Sequence, residues 1–228
     1  MKEKARFSAI FVCMAVLFTV CLITSNLLAT KVFAIGSKIT LPCAVLVFPL
    51  SYILNDCFTE VYGYRKARLV IWLAFAMNVL TVLFGQIAVW LPAPGFWQGG
   101  EHFNFVFGMA PRVVLGSILA FLAGSTLNSL VLSKMKIASG GRGFGWRAIL
   151  SSLAGESCDS LIFMPIAFWG TPLKTLAVMM LVQVGFKVIY EILILPVTGA
   201  AVKRLKAVEG EDAYDEGISY NPFRIKDI

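Results

Sequence analysis

Six stretches of about twenty mostly apolar residues recur along the 228-residue chain, at 8–30, 41–63, 69–91, 111–134, 147–169 and 173–202. At a rise of about 1.5 Å per residue, each is long enough to cross the roughly 30 Å of hydrocarbon in a bilayer. Backbone groups facing lipid must be satisfied within their own segment, so each stretch reads as a helix. Composition agrees: 58% of residues are hydrophobic and 14% charged, against about 25% charged in soluble domains. The mean hydropathy is +0.81. A soluble chain with this composition would lack the polar surface to cover its core, whereas lipid solvates apolar outer faces. The expected fold class is all-α: a polytopic membrane protein with six transmembrane helices in one domain over residues 1–204. A short acidic tail follows over 205–228, carrying Glu209, Glu211, Asp212, Asp215 and Glu216, and is expected to be mobile.

The first stretch opens like a signal peptide, with Lys2, Lys4 and Arg6 before an apolar run, but that run continues from Phe7 to about Ala29. A secretory apolar region is about 7–15 residues, so this one reads as a retained span. Turn chemistry at Pro92-Ala93-Pro94-Gly95, Ser139-Gly140-Gly141 and Gly170-Thr171-Pro172 separates later spans. Six alternating spans place Lys2, Lys4, Arg6, Arg65, Lys66, Arg68, Lys134, Lys136, Arg142, Arg147, Lys203, Arg204 and Lys206 on one side. Only Lys31, Lys38, Arg112 and Lys174 fall on the other. The positive-inside rule then puts both termini in the cytoplasm. The net charge of +7 is read as topology, not as a nucleic-acid surface.

Ionisable side chains within a bilayer cost about 2.5–3.5 kcal/mol each on insertion scales and normally face a bundle interior or an aqueous cavity. Here they recur at helical spacing. Tyr52, Asp56 and Glu60 lie four apart on one face; Ser152, Glu156 and Asp159 share another; Gln183, Lys187 and Glu191 form a ladder of fours. One converging polar cavity from the midplane to the inner leaflet is the economical reading. Structural readings stand beside it. Glu60 can pair with nearby Arg65, Lys66 and Arg68 at the surface, and Lys187 can neutralise Glu191. Gly116, Ala120, Gly124 and Asn128 also fall at intervals of four. For the glycines that spacing means close helix packing; Asn128 is either an interhelical donor or a substrate contact.

Trp90, Phe96 and Trp97 fit an outer aromatic belt and Tyr62 and Tyr64 an inner one. Phe48 with Tyr52, or Phe163 with Trp169, can stack on a planar ligand. TSNLLATK, with Asn26, is echoed by STLNSLVLSK, with Asn128, which suggests two inverted three-helix halves. Five cysteines in apolar segments without CxxC spacing read as packing residues. The single histidine, His102, reads as a loop residue, and no metal or cofactor is expected. The chain has no Walker A sequence, HExxH or nucleophile elbow.

The run FPLSYILNDCFTEVYGYRKARLVIW, from Phe48, resembles the signature region of the queuosine-precursor transporter family, also called vitamin uptake transporter-like. SNLLATK, APRVVLGSILAF, STLNSLVLSKMK and WRAILSSLAGESCDSLIFMPIAFWG resemble it in the same order, up to about Arg204. The resemblance implies a bacterial inner-membrane protein with six helices. It also implies import of 7-cyano-7-deazaguanine, 7-aminomethyl-7-deazaguanine or queuine for salvage of tRNA queuosine. Such a base presents two parallel donors to a carboxylate and a carbonyl to a donor. Asp56, Glu156 and Asp159 are therefore the expected acceptors and Asn26, Asn128, Gln183 and Lys187 the expected donors, with Tyr52 beside them. Glu60 and Glu191 are left for coupling or structural ion pairs.

The family is similar in architecture to the substrate-binding subunits of energy-coupling-factor importers. Those carry small residues every four positions on span one, and Ala15, Thr19 and Ile23 do not form such a ladder. A self-sufficient importer is thus favoured over a subunit with an ATP-driven partner; a homodimer stays open. A third alternative is an intramembrane enzyme using Glu156 and Asp159 as acid and base, but no nucleophile or metal ligand accompanies that pair.

Overall fold

The computed structural model describes residues 7–36 and 39–224; Lys2, Lys4, Arg6 and Lys38, counted above for orientation, lie outside them. Among the described residues, five helical runs are long and apolar enough to cross a membrane: Ala9–Leu28, Phe48–Trp90, Gly100–Ser139, Phe144–Ala167 and Leu173–Glu209. We number the helices α1 (Ala9–Leu28), α2 (Phe48–Cys57), α3 (Gly63–Trp90), α4 (Gly100–Ser139), α5 (Phe144–Ala167) and α6 (Leu173–Glu209).

The run Phe48–Trp90 is not one straight rod. A π-helical turn, Phe58–Tyr62, follows α2, and Gly63 then takes φ +84° and ψ 165°, outside the helical region and open to glycine alone at low cost. The core shows the consequence. Phe48 and Phe75 both pack on Phe121, with ring centroids at 5.7 and 6.0 Å. On a continuous helix their 27-residue separation would amount to about 40 Å. The chain therefore reverses at Gly63. Phe18 and Tyr52 complete the cluster, also 5.7 and 5.6 Å from Phe121.

Apolarity puts the start of the second span at 41. The structure instead pairs an antiparallel hairpin, β1 (Val32–Ile35) with β2 (Ile39–Pro42), followed by a 3₁₀ turn at Cys43–Leu46. Apolarity alone does not separate β-branched residues in a hairpin from a helix end. The helix then begins at Phe48, with Pro49 in its first turn, where a missing N–H costs nothing. Helix α4 begins at Gly100, ahead of the expected 111, so His102 lies exposed in its first turns and not in a loop. Pro111 cannot donate to the carbonyl of Phe107, four residues back. The amide Nε2 of Gln86, on α3, donates to that oxygen at 2.5 Å.

Helices α4 and α5 form the closest pair. Gly124 and Gly155 face each other there: a Cβ on either would lie 2.7 Å from the other's carbonyl oxygen. Gly116 meets Ile166 of α5 in the same way, at 2.9 Å from its Cγ2. At the far end, Arg112 donates to the Ala167 carbonyl at 2.7 Å, supplying a cation and a donor to the last turn of α5.

The segment after α6 is not a free tail. Helix α6 runs to Glu209, and the chain then folds back across the end of the bundle that holds Gly63 and most of the basic residues. The Asp215 carboxylate accepts the Tyr64 N–H at 3.0 and 3.1 Å and the Ser133 hydroxyl at 2.8 Å. Arg68 and Trp72 donate to the carbonyls of Asn221 and Pro222, each at 2.7 Å. Tyr62 and Tyr64 are consequently buried, 5% and 1% exposed, and do not form an interfacial belt. Burial alone would raise the carboxyl of Asp212, but hydrogen bonds from Lys136 and Lys206 outweigh it and hold the group below the ordinary carboxylate range. Asp215→Ala leaves the Tyr64 N–H buried without an acceptor, a loss of about 1–3 kcal/mol. Amides of 211–222 are expected to exchange hydrogen markedly faster in that variant; unchanged protection would mean that the carbonyl contacts suffice.

Candidate functional site

The polar residues singled out by spacing divide into three groups along the bundle. Nearest the middle, a contracted cavity is lined from α1 by Ser25 and Asn26, from α5 by Asp159 and Phe163, from α6 by Gln183 and Lys187, and by Phe48 of α2. It offers about 20 Å³, room for about one water molecule. Lys187 is fully buried and donates to the Asp159 carboxylate at 3.0 Å. Its ammonium also lies over the rings of Phe48 and Tyr52, 4.1 and 5.9 Å from their centroids. The expected Lys187–Glu191 pair does not form. Packing brings the Asp159 carboxylate across from α5 to the ammonium in place of the acid one turn away.

Asn26 donates to the Oδ1 of Asn78, on α3, at 2.7 Å, which orients it against the cavity. The Oε1 of Gln183 is buried without a partner, an acceptor left open beside Lys187. Phe163 lines the cavity, whereas Trp169 is 79% exposed and takes no part.

One layer toward the basic end lie Asp56, Asn128, Ser152, Glu156 and Glu191. Asn128 donates to Asp56 Oδ1 at 2.7 Å, and Ser152 Oγ stands 3.5 Å from Oδ2. Glu156 Oε2, Glu191 Oε1, Asn128 Oδ1 and the Tyr52 hydroxyl are buried without partners. Asp56, Asn128 and Glu156 thus stand beside the cavity and not among its lining residues. The two echoed asparagines also differ in role, Asn26 bonding Asn78 and Asn128 bonding Asp56.

The third group is a basic cage around Glu60. Arg147 donates to both carboxylate oxygens, at 2.8 and 3.1 Å, and Lys206 donates at 2.8 Å. Lys136 stands 3.8 Å from Oε1 and donates to the Glu60 carbonyl at 2.7 Å. These cations come from α5, α6 and α4, so the expected pairing with Arg65, Lys66 and Arg68 is replaced by a cross-bundle network. Those three lie beyond the reversal at Gly63, on a helix that leads away. Lys66 pairs with Glu211 instead, at 2.7 Å. The cage cations were visible only as loop charge, although that tally does place them on the side where Glu60 lies.

A family model described as "Putative vitamin uptake transporter" matches residues 42–201. The chain is similar to the "Probable queuosine precursor transporter" of Bacillus subtilis (strain 168), 34% identical over 118 residues, a match spanning about half of each protein, 51% of either chain. It is also similar to the "Queuosine precursor transporter" of Escherichia coli (strain K12), 28% identical over 213 residues, 89% of this chain and 90% of that one. No solved structure matches.

Proposed function

Because the chain belongs to the vitamin uptake transporter family by a model match over residues 42–201, we propose that it imports queuosine precursors, the 7-deazaguanine bases, across the bacterial inner membrane. Curated relatives are named queuosine precursor transporters, and the chain is a multi-pass membrane protein. The reversal at Gly63 supports six crossings within residues 1–204. The basic loops then face the cytoplasm, together with both termini.

The observation that carries the reading is the Asp159–Lys187 pair in a cavity edged by Asn26 and Gln183 and flanked by Phe48 and Phe163. A deazaguanine offers two parallel N–H donors beside a carbonyl oxygen. A carboxylate next to an ammonium presents the complementary sequence of acceptor and donor. The aromatic rings suit the faces of a planar base. Asn26 and the unpartnered Gln183 carbonyl line the same cavity and would complete the edge of the base. With room for about one water, the cavity must widen to admit a base, while the Glu60 cage closes the cytoplasmic end. That is an arrangement for alternating access.

The test uses a bacterium unable to make deazaguanines and lacking its own importer, expressing this chain. Nanomolar 7-cyano-7-deazaguanine, 7-aminomethyl-7-deazaguanine or queuine is supplied with the host enzymes each requires, and tRNA queuosine is assayed. Wild type is expected to restore queuosine. Asp159→Asn and Lys187→Met, each leaving a buried charge unpaired, are expected to lose about 2–3 kcal/mol of binding, roughly 30- to 140-fold in the concentration required. Full activity in both variants at equal membrane levels would move the site elsewhere. No queuosine from wild type, with base binding but no flux in liposomes, would favour a subunit that needs an energy-coupling partner.

A further inference from the structure

Among the described buried carboxylates of the bundle, charge compensation is uneven. Glu60 has Arg147, Lys206 and Lys136 around it, and Asp159 has Lys187. Asp56, Glu156 and Glu191 are 1%, 1% and 5% exposed, and none of them has an ion-pair partner among the described residues. The polar and titratable groups that face them come from four helices. Helix α2 brings Asp56 itself with Cys57 and the unpartnered Tyr52 hydroxyl, and Glu60 a turn away; α4 brings the neutral Asn128; α5 brings Ser152, Glu156, Cys158 and Asp159; α6 brings Lys187 and Glu191. Asp56 lies within electrostatic range of both Glu156 and Glu191. The one nearby cation acting on Glu156 is Lys187, already bonded to Asp159.

Three carboxyls in a low-dielectric layer with no cation of their own cannot all be ionised; like charges that close share protons instead. Two observations point to an exchangeable occupant and not to a fixed hydrogen bond. Oε2 of Glu156 and Oε1 of Glu191 are buried without partners, as is the neighbouring Oδ1 of Asn128. None of the three carboxyls has an ion-pair partner among the described residues, and a proton, which needs a single acceptor oxygen, is the occupant that fits. The layer lies between the Asp159–Lys187 pair, three residues from Glu156 on α5, and Glu60, four residues from Asp56 on α2.

We propose that Asp56, Glu156 and Glu191 form a proton-carrying site, distinct from the base cavity, through which import is coupled to the proton gradient. The inference rests on the transport reading above. In the outward-open form a proton from external water binds the carboxyl cluster as the base enters the cavity. In the inward-open form the base and the same proton leave to the cytoplasm, so one proton crosses with each base and no bond to the base is made or broken.

The test uses purified full-length protein in liposomes containing a pH-sensitive dye. The substrate is 7-cyano-7-deazaguanine, chosen because it is uncharged and carries no titrating amine. Base added outside is expected to acidify the lumen. An inside-alkaline gradient of one pH unit is expected to drive about tenfold accumulation. In Glu156→Gln and Asp56→Asn, accumulation is expected to collapse to equilibration with the outside, while exchange of internal for external base persists at a measurable rate. Uptake by wild type with no acidification, or driven by a sodium gradient alone, would overturn the proton site and leave the transport reading standing. Binding and flux both absent for all three bases in wild type would overturn the transport reading and this inference with it. Should a variant fail to fold, judged by its melting profile, the wild-type dye signal decides alone.

Discussion

Glu60→Ala is expected to lower the melting temperature of the detergent-purified protein by roughly 6–20 °C. The size follows from what the carboxylate leaves behind. Arg147 and Lys136 are 2% and 3% exposed at their side chains, and without Glu60 each is left with neutral carbonyls or, for Lys136, with the half-exposed Asp212. Breaking a buried ion pair from one side costs about 3–5 kcal/mol, and each kcal/mol moves the midpoint of a chain this size by about 2–4 °C. Burial makes the sign certain only for single removal. Replacing the most closely bonded partner as well, as in Glu60→Gln with Arg147→Met, removes one stranded charge and leaves Lys136 and Lys206 with Asp212, so it is expected to recover part of the loss. A shift of only a degree or two for Glu60→Ala would mean that water reaches the cage and screens it like a surface bridge.

That cage also marks the boundary of what one sequence discloses. Spans, turns and the side bearing positive charge follow from local rules, because lipid penalises any unsatisfied backbone and rewards long apolar runs. Acid residues at helical spacing could be assigned to an interior for the same reason. Which acid meets which base could not. Lys187 had Glu191 one turn away and Asp159 on another helix, and only packing decides between them. The neighbours of Glu60 in sequence were the wrong ones because Gly63 sends the chain back, and its φ is not written in the residues around it. The strands Val32–Ile35 and Ile39–Pro42 are hidden for a different reason: apolar β-branched residues next to a span look like more span. Acidic composition signals a solvated tail, yet its carbonyls and Asp215 satisfy donors at the reversal.

The small-residue stripe on α4 yields the other large effect. Gly124→Ala and Gly155→Ala are each expected to abolish uptake while leaving a helical, membrane-inserted protein. The added methyl of Gly124→Ala would sit 2.5 Å from the Tyr52 hydroxyl, 2.7 Å from the Gly155 carbonyl oxygen and 2.9 Å from the Asp159 Cβ. Two of these three are not flexible ends: one is backbone and one the stem of a side chain held by Lys187. Helices α4 and α5 must therefore separate, and overpacking of this kind costs about 1–3 kcal/mol. The movement falls on the wall that aims Asp159 into the cavity, and site geometry tolerates an error of only about 0.5 Å. Loss of function should consequently exceed loss of stability. Gly185 and Gly199 supply the control. Both lie within α6, and a Cβ at either meets nothing within 4 Å. Alanine there removes a helix-interior glycine and is expected to stabilise by up to about 0.5–1 kcal/mol, with uptake retained. Melting curves and base uptake measured on all four variants separate the cases. Uptake retained in Gly124→Ala would show that α4 and α5 have slack at the site, and that the Asp159–Lys187 geometry does not depend on their close approach.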